Sequence, residues 1–175
     1  MVCLKKRSYK GRCYMKKEEI KIVISEIKGE LDNLKKLYKK IMERDLESIL
    51  TKEEVKESIA LKVHNFYTGC ENIFKLIAKE VNKFISEDWD WHRGLLKQMT
   101  VEIKGVRPKV IHEDVYKGLL ELLAFRHVVR NIYGYELNAK RVREIAELTI
   151  KIFPRFYSEI EEFCHFLENL EKMLE

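Results

Sequence analysis

Apolar positions in this chain recur in steps of three and four over most of its length, the periodicity of helices that each bury one face. The first stripe runs from about Glu18 to Leu50 through Ile20, Ile24, Ile27, Leu31, Leu34, Tyr38 and Ile41. Lys35, Lys36, Lys39 and Lys40 fall off that stripe and form a solvated face. Thr51-Lys52-Glu53-Glu54 has the form of a capping box, in which a hydroxyl and a carboxylate three residues on satisfy free N–H groups. It predicts the start of a second helix with Val55, Ile59, Val63, Phe66, Cys70, Ile73, Ile77, Val81 and Phe84 on its inner face. Two long helices joined so tightly should lie antiparallel.

Ser86-Glu87-Asp88 is read as the end of that helix, and Trp89 to Glu102 as a shorter one turning Trp91, Leu95 and Met99 inward. Gly105-Val106-Arg107-Pro108 reads as a loop, because proline cannot continue a helix and glycine readily ends one. A fourth helix begins near His112 with Val115, Leu119, Leu122, Phe125, Val129 and Ile132 as its seam, and Gly134 stops it. Asn138 suits the N-cap of a last helix, whose stripe is Val142, Ile145, Thr149, Ile152, Phe156, Ile160, Phe163, Leu167, Leu170 and Leu174. Pro154 inside it predicts a kink. The pattern predicts an all-α fold, an up-and-down antiparallel bundle of four to five helices forming one domain over 18–175.

Composition agrees with helix. Of 175 residues 46% are apolar and 36% charged, with seven glycines and two prolines, which is too apolar for a disordered chain and too poor in turn formers for a β-sandwich. No run approaches the ~18 apolar residues of a membrane span, and no apolar run follows the N-terminal basic residues as in a secretory signal, so a cytoplasmic protein is expected. The net charge of +5 is uneven: residues 1–17 hold seven basic residues and no acid, leaving 27 basic against 29 acidic residues in the rest. A polyanionic partner is therefore suggested by the tail alone, which reads as a solvated, disordered leader, with Met15 an alternative start. Cys3, Cys13, Cys70 and Cys164 have no metal-site spacing; Cys70 and Cys164 fall on apolar faces as small core residues.

The candidate chemistry lies on the fourth helix. At ~100° per residue, Arg126, Arg130 and Tyr133 share one flank beside the seam, and His127 and Asn131 share the next strip. Metal-free cleavage of RNA needs such groups: a base for the ribose 2′-hydroxyl, an acid for the leaving 5′-oxygen, and cations for the phosphorane. Histidine titrates in the useful range, and arginine offers a forked, permanent charge. The same residues also suit a plainer role, with the arginines paired to acids on a neighbouring helix and His127 packed at an interface. Upstream, His64, Tyr67, Thr68 and Glu71 share a helical face and suit either a cleft wall or a buried polar network. Trp89, Trp91 and His92 suit either a stacking platform for bases or core packing with a polar edge.

The stretch Arg126-x4-Asn131-x-Tyr133 resembles the motif of the HEPN superfamily, in which Arg, four residues, His, one residue and Tyr close a helix. The chain is most similar to the HepT-like branch. The matching stretches are His64-Asn65-Phe66-Tyr67-Thr68-Gly69 with Glu71 following, Asp90-Trp91-His92-Arg93, Gly105-Val106-Arg107-Pro108, and Phe125 to Leu137, in order. The resemblance implies a helical homodimer that joins the motif helices of two subunits. It also implies a toxin–antitoxin setting: a metal-independent endoribonuclease, without cofactor, restrained by a small nucleotidyltransferase that can add AMP to the motif tyrosine, here Tyr133.

The family histidine is replaced by Asn131, which cannot exchange a proton near neutral pH. His127, one turn earlier, is then the candidate for the proton work. Arg126 and Arg130 would hold the phosphate, and Asn131 and Tyr133 would position it, with His64, Tyr67, Glu71 and His92 as supporting groups. The alternatives are a catalytically inert binding module that partners the nucleotidyltransferase or is modified by it, and a structural homodimer.

Overall fold

A computed structural model describes residues 15–84, 90–131 and 137–174. Among them are five α-helices and no strand: α1 (Lys17–Met42), α2 (Glu53–Leu76), α3 (Trp91–Gln98), α4 (Glu113–Asn131) and α5 (Ala139–Lys172). The periodic stripes account for this architecture. One continuous apolar cluster takes Ile27, Leu31 and Leu34 from α1, Val63, Phe66 and Ile73 from α2, Leu119 and Leu122 from α4, and Ile145, Phe156 and Phe163 from α5. Phe153 lies at its centre, stacked on Tyr38 with ring centroids 4.6 Å apart and edge-on to Phe66 at 5.6 Å. No described helix is long and apolar enough to cross a membrane.

α1 and α2 form the expected antiparallel pair, with Gly69 of α2 against Leu34 and Glu30 of α1. Their junction differs from the sequence reading. α1 stops at Met42, and the chain turns through a short 3-10 segment, Leu46–Leu50, capped by the Asp45 side chain accepting from Glu47 N–H at 3.1 Å. Ile49 is fully buried there, so the apolar pattern had continued across a change of helix type. The Thr51 capping box does not form: Thr51 Oγ1 donates to Ser48 C=O, and Lys52 occupies the N-cap without a side-chain cap bond.

α2 continues into one π-helical turn, Ile77–Val81. Lys83 takes a positive φ of 55°, so the helix ends before Phe84, which is exposed and not part of the inner face. The expected stop at Ser86-Glu87-Asp88 lies outside the described residues. α3 is shorter than expected at both ends, yet Leu95 and Met99 are buried and Trp91 half-buried as its pattern implied.

The loop between α3 and α4 is locked by a buried cation. Gly105 supplies a φ of +77°, a conformation side chains disfavour, and the backbones of Ile103 and Arg107 bridge each other. The Arg107 guanidinium is then turned inward. It donates to Asn82 Oδ1 (2.7 Å) and to the carbonyls of Val101 (2.9 Å), Pro108 (2.9 Å) and Gln98 (3.0 Å). Burial draws its pKa down to about 10, which still leaves it charged at neutral pH.

α4 starts where expected. The N–H of His112, just before its first residue, donates to Glu159 Oε2 at 3.0 Å, so a side chain of α5 ties down the start of α4. Asn138 caps α5 by accepting from Arg141 N–H at 3.0 Å. α5 runs on through Pro154, which stands exposed, and its stripe weakens at Leu170 and at the exposed Leu174. Cys70 and Cys164 are buried free thiols, and burial pushes the Cys164 pKa up to about 11. Cys3 and Cys13 lie outside the described residues, as does most of the basic leader.

Candidate functional site

The face where α2, α3 and α4 meet gathers most of the chain's unusual polar side chains around Glu71. Glu71 sits on the inner side of α2 with 2% of its surface exposed. Such a carboxylate is stable only beside cations or donors, and three helices supply them. His92, near the start of α3, hydrogen-bonds Glu71 Oε1 through Nδ1. Lys75, one turn along α2, places Nζ 3.0 Å from Oε2, and Arg126 of α4 brings Nη2 to 3.9 Å from the same oxygen. Neither contact with Oε2 is aligned as a hydrogen bond, so that oxygen is held by charge.

Arg126 is itself nine-tenths buried, and its Nε and Nη1 have no hydrogen-bond partner. It faces inward because position 126 follows the seam residue Phe125 and lies one turn from Leu122 and Leu123, all of which are buried. His127 and Arg130 turn outward and are exposed. The His92 ring lies between the two levels of the cluster. It stacks on Trp91 at 3.7 Å between centroids and meets the His127 ring nearly perpendicular at 5.9 Å. Lys75 also places its Nζ over the Trp91 ring, 4.7 Å from the centroid.

Electrostatics follow from this crowding of cations. Burial first, and then the charges of Arg126, His92 and Arg130, lower the His127 pKa, with Asp90 opposing. His64 is also lowered, by burial and then by Arg126 and Arg130, and its buried Nδ1 has no partner. Both rings are thereby held toward the neutral form. Tyr67 is buried beneath, and burial aided by Glu71 keeps its hydroxyl protonated.

The structure thus brings His64, Glu71, His92, Arg126, His127 and Arg130 together, and it revises several roles. Arg126 belongs to the floor and is engaged with Glu71, whereas Arg130 belongs to the rim. Tyr67 lies beneath the cluster instead of lining an open cleft. Thr68 turns back to its own helix, donating to His64 C=O at 3.0 Å. Asn131 is exposed at the end of α4. Tyr133 and Trp89 lie outside the described residues.

A family model described as HepT-like protein matches residues 58–167. The chain belongs to the HepT-like family. No curated protein and no solved structure matches it. The matched span of this HepT-like protein begins inside α2 and contains the whole cluster, while α1 and the 3-10 segment precede it.

Two members of the site were given no role by the sequence reading, although Asp90 lies in one of its matching stretches. Lys75 could have been found as the i+4 partner of Glu71, and Asp90, whose charge acts on His127, only by knowing how α3 docks. Elsewhere in this HepT-like protein, a groove along α1 and α2 is lined by Glu26, Glu30, Asp32 and Lys36 among others. It shares no residue with the cluster, and its acidic excess is unsuited to a polyanion.

Proposed function

We propose that this HepT-like protein is a toxin component that cleaves RNA without a metal ion, restrained by a small nucleotidyltransferase and working as a cytoplasmic homodimer. Residues 18–175 are its working domain behind a basic leader. The supporting observation is the exposed His127 with the exposed Arg130 one turn along the same helix and the buried Arg126 beneath them. Arg130 at the rim neutralises an arriving phosphodiester, and Arg126, buried and paired with Glu71, adds its positive charge from the floor without touching it. His127, whose pKa is lowered by partial desolvation and by those cations, takes the proton of the 2′-hydroxyl. By resemblance, Asn131 and Tyr133 orient the phosphate.

Purified protein incubated with total RNA in EDTA is expected to leave 2′,3′-cyclic phosphate ends. His127→Ala should slow cleavage by about 10²–10⁴-fold, the range for loss of a general base. Unchanged cleavage by that variant removes His127 from the mechanism. No cleavage by the unmutated protein favours the inert binding module, which the asparagine at the family histidine position also fits; its mark would be added AMP mass on Tyr133 after incubation with the nucleotidyltransferase and ATP.

The pH profile has a definite sign. A base with a lowered pKa stays competent further into acid, so the acid limb of kcat/KM should have its midpoint below 6.5, the ordinary histidine value. Arg130→Ala removes one of the depressing charges and should move that midpoint upward.

A further inference from the structure

Resting on the ribonuclease reading, we infer that His92 is the second proton-transfer residue of this site, the general acid, and that Glu71 is the residue that positions it. Cleavage by 2′-hydroxyl attack needs an acid as well as a base. The motif itself does not provide both, since Asn131 cannot deliver a proton. Of the other histidines, His112 is bonded to Glu159 and His165 to Glu168, both away from the cluster. His64 has its Nδ1 sealed from solvent with no partner. His92 alone of these meets the His127 ring, at 5.9 Å.

The surroundings of His92 fit this role better than a purely structural one. Its Nδ1 is engaged by Glu71, which leaves Nε2 as the nitrogen able to carry a proton to a ligand. The ring is clamped against Trp91, so its direction is set before any substrate arrives. When the ring is protonated, its positive charge lies against the Glu71 carboxylate. Glu71 is in turn fixed by Lys75 and Arg126. A carboxylate, an imidazole and a second imidazole therefore follow one another from the buried floor to the exposed rim.

The step balances within these groups. His127 accepts the 2′-hydroxyl proton, and the 2′-oxygen forms a bond to phosphorus. The bond from phosphorus to the 5′-oxygen breaks, and His92 gives its Nε2 proton to that oxygen. The products are a 2′,3′-cyclic phosphate and a 5′-hydroxyl, with one proton moved onto His127 and one lost from His92. Hydrolysis of the cyclic phosphate reverses the roles: His92 takes a proton from water, His127 returns its own to the 2′-oxygen, and both are reset.

The discriminating variant is His92→Asn, whose amide N–H takes the place of Nδ1–H toward Glu71 but cannot transfer a proton. With RNA in EDTA it is expected to lose about 10²-fold or more in kcat, with KM little changed and the circular dichroism spectrum intact. Imidazole added to His92→Gly should restore part of the rate, which loss of structure alone would not allow. In ¹⁵N spectra the His92 ring that acts as the acid carries protons on both nitrogens, and the neutral ring left after it gives up Nε2–H should keep its proton on Nδ1 in the unmutated protein; Glu71→Gln should weaken that preference while lowering kcat. Wild-type rates in His92→Asn overturn the inference while leaving the ribonuclease reading intact. A neutral His92 ring protonated on Nε2 in place of Nδ1 overturns the role of Glu71. Absence of cleavage by the unmutated protein overturns the inference and the ribonuclease reading together.

Discussion

Glu71→Ala is expected to destabilise the protein by about 3–5 kcal/mol, the range for stripping one partner from a buried ionic cluster. The carboxylate is 2% exposed and Arg126 9% exposed, so solvent does not screen their interaction. Removing it leaves a guanidinium under packed helices with no counter-ion and deprives His92 Nδ1 of its acceptor. Domains of this size are typically stable by only ~5–15 kcal/mol, so the loss should appear as a large drop in the urea midpoint. Glu71→Gln keeps an acceptor for His92 while losing the charge, and should cost less. If Glu71→Ala unfolds at the wild-type midpoint, the cluster contributes nothing to the fold, and its polar groups must be hydrated in solution.

A comparable loss, about 3 kcal/mol or more, is expected for Arg107→Ala, because the carbonyls of Gln98, Val101 and Pro108 and the Asn82 side-chain oxygen lose one buried donor together. Arg107→Lys should rescue little. A single ammonium cannot span acceptors on Asn82, Gln98, Val101 and Pro108 as the guanidinium fork does. The damage should reach the site as well. The 99–111 segment connects α3, which carries His92, to α4, which carries His127, and Asn82 follows the π turn at the end of α2. Urea unfolding followed by circular dichroism checks the first effect, and RNA cleavage below the unfolding midpoint checks the second.

The roles of these two residues differ in how far they could be read from the chain. Arg107 lies in a Gly-x-Arg-Pro stretch that patterning identifies as a loop and resemblance marks as a family feature. Neither says that the side chain turns inward, since a charged residue in a loop is by default solvated. Glu71 lies on the polar edge of an otherwise apolar helix, where a buried network and a cleft wall were equally consistent. Only the approach of α3 and α4 makes it a hub.

Where local periodicity failed, a tertiary cause can be named. The first stripe ran on past Met42 because Ile49 is as buried as a helical residue, though it is carried there by a 3-10 turn. Phe84 kept the spacing of α2, but the positive φ at Lys83 takes the chain out of the helix first. Apolar spacing reports what is buried, and the backbone route to burial is chosen by the space available between neighbouring helices.

The sequence by itself determined the helical class, the inner faces of α1, α2, α4 and α5, the cap at Asn138, and the membership that residues 58–167 support. These depend on interactions within a few turns, where spacing is equivalent to geometry. Tertiary structure decided that Arg126 points down to Glu71 while His127 points out, and that His92 stands beside His127 although 35 positions separate them in the chain. No local spacing encodes that meeting. It depends on how α3 is held across the bundle, which the buried Arg107 and the ion pairs around Glu71 fix at once.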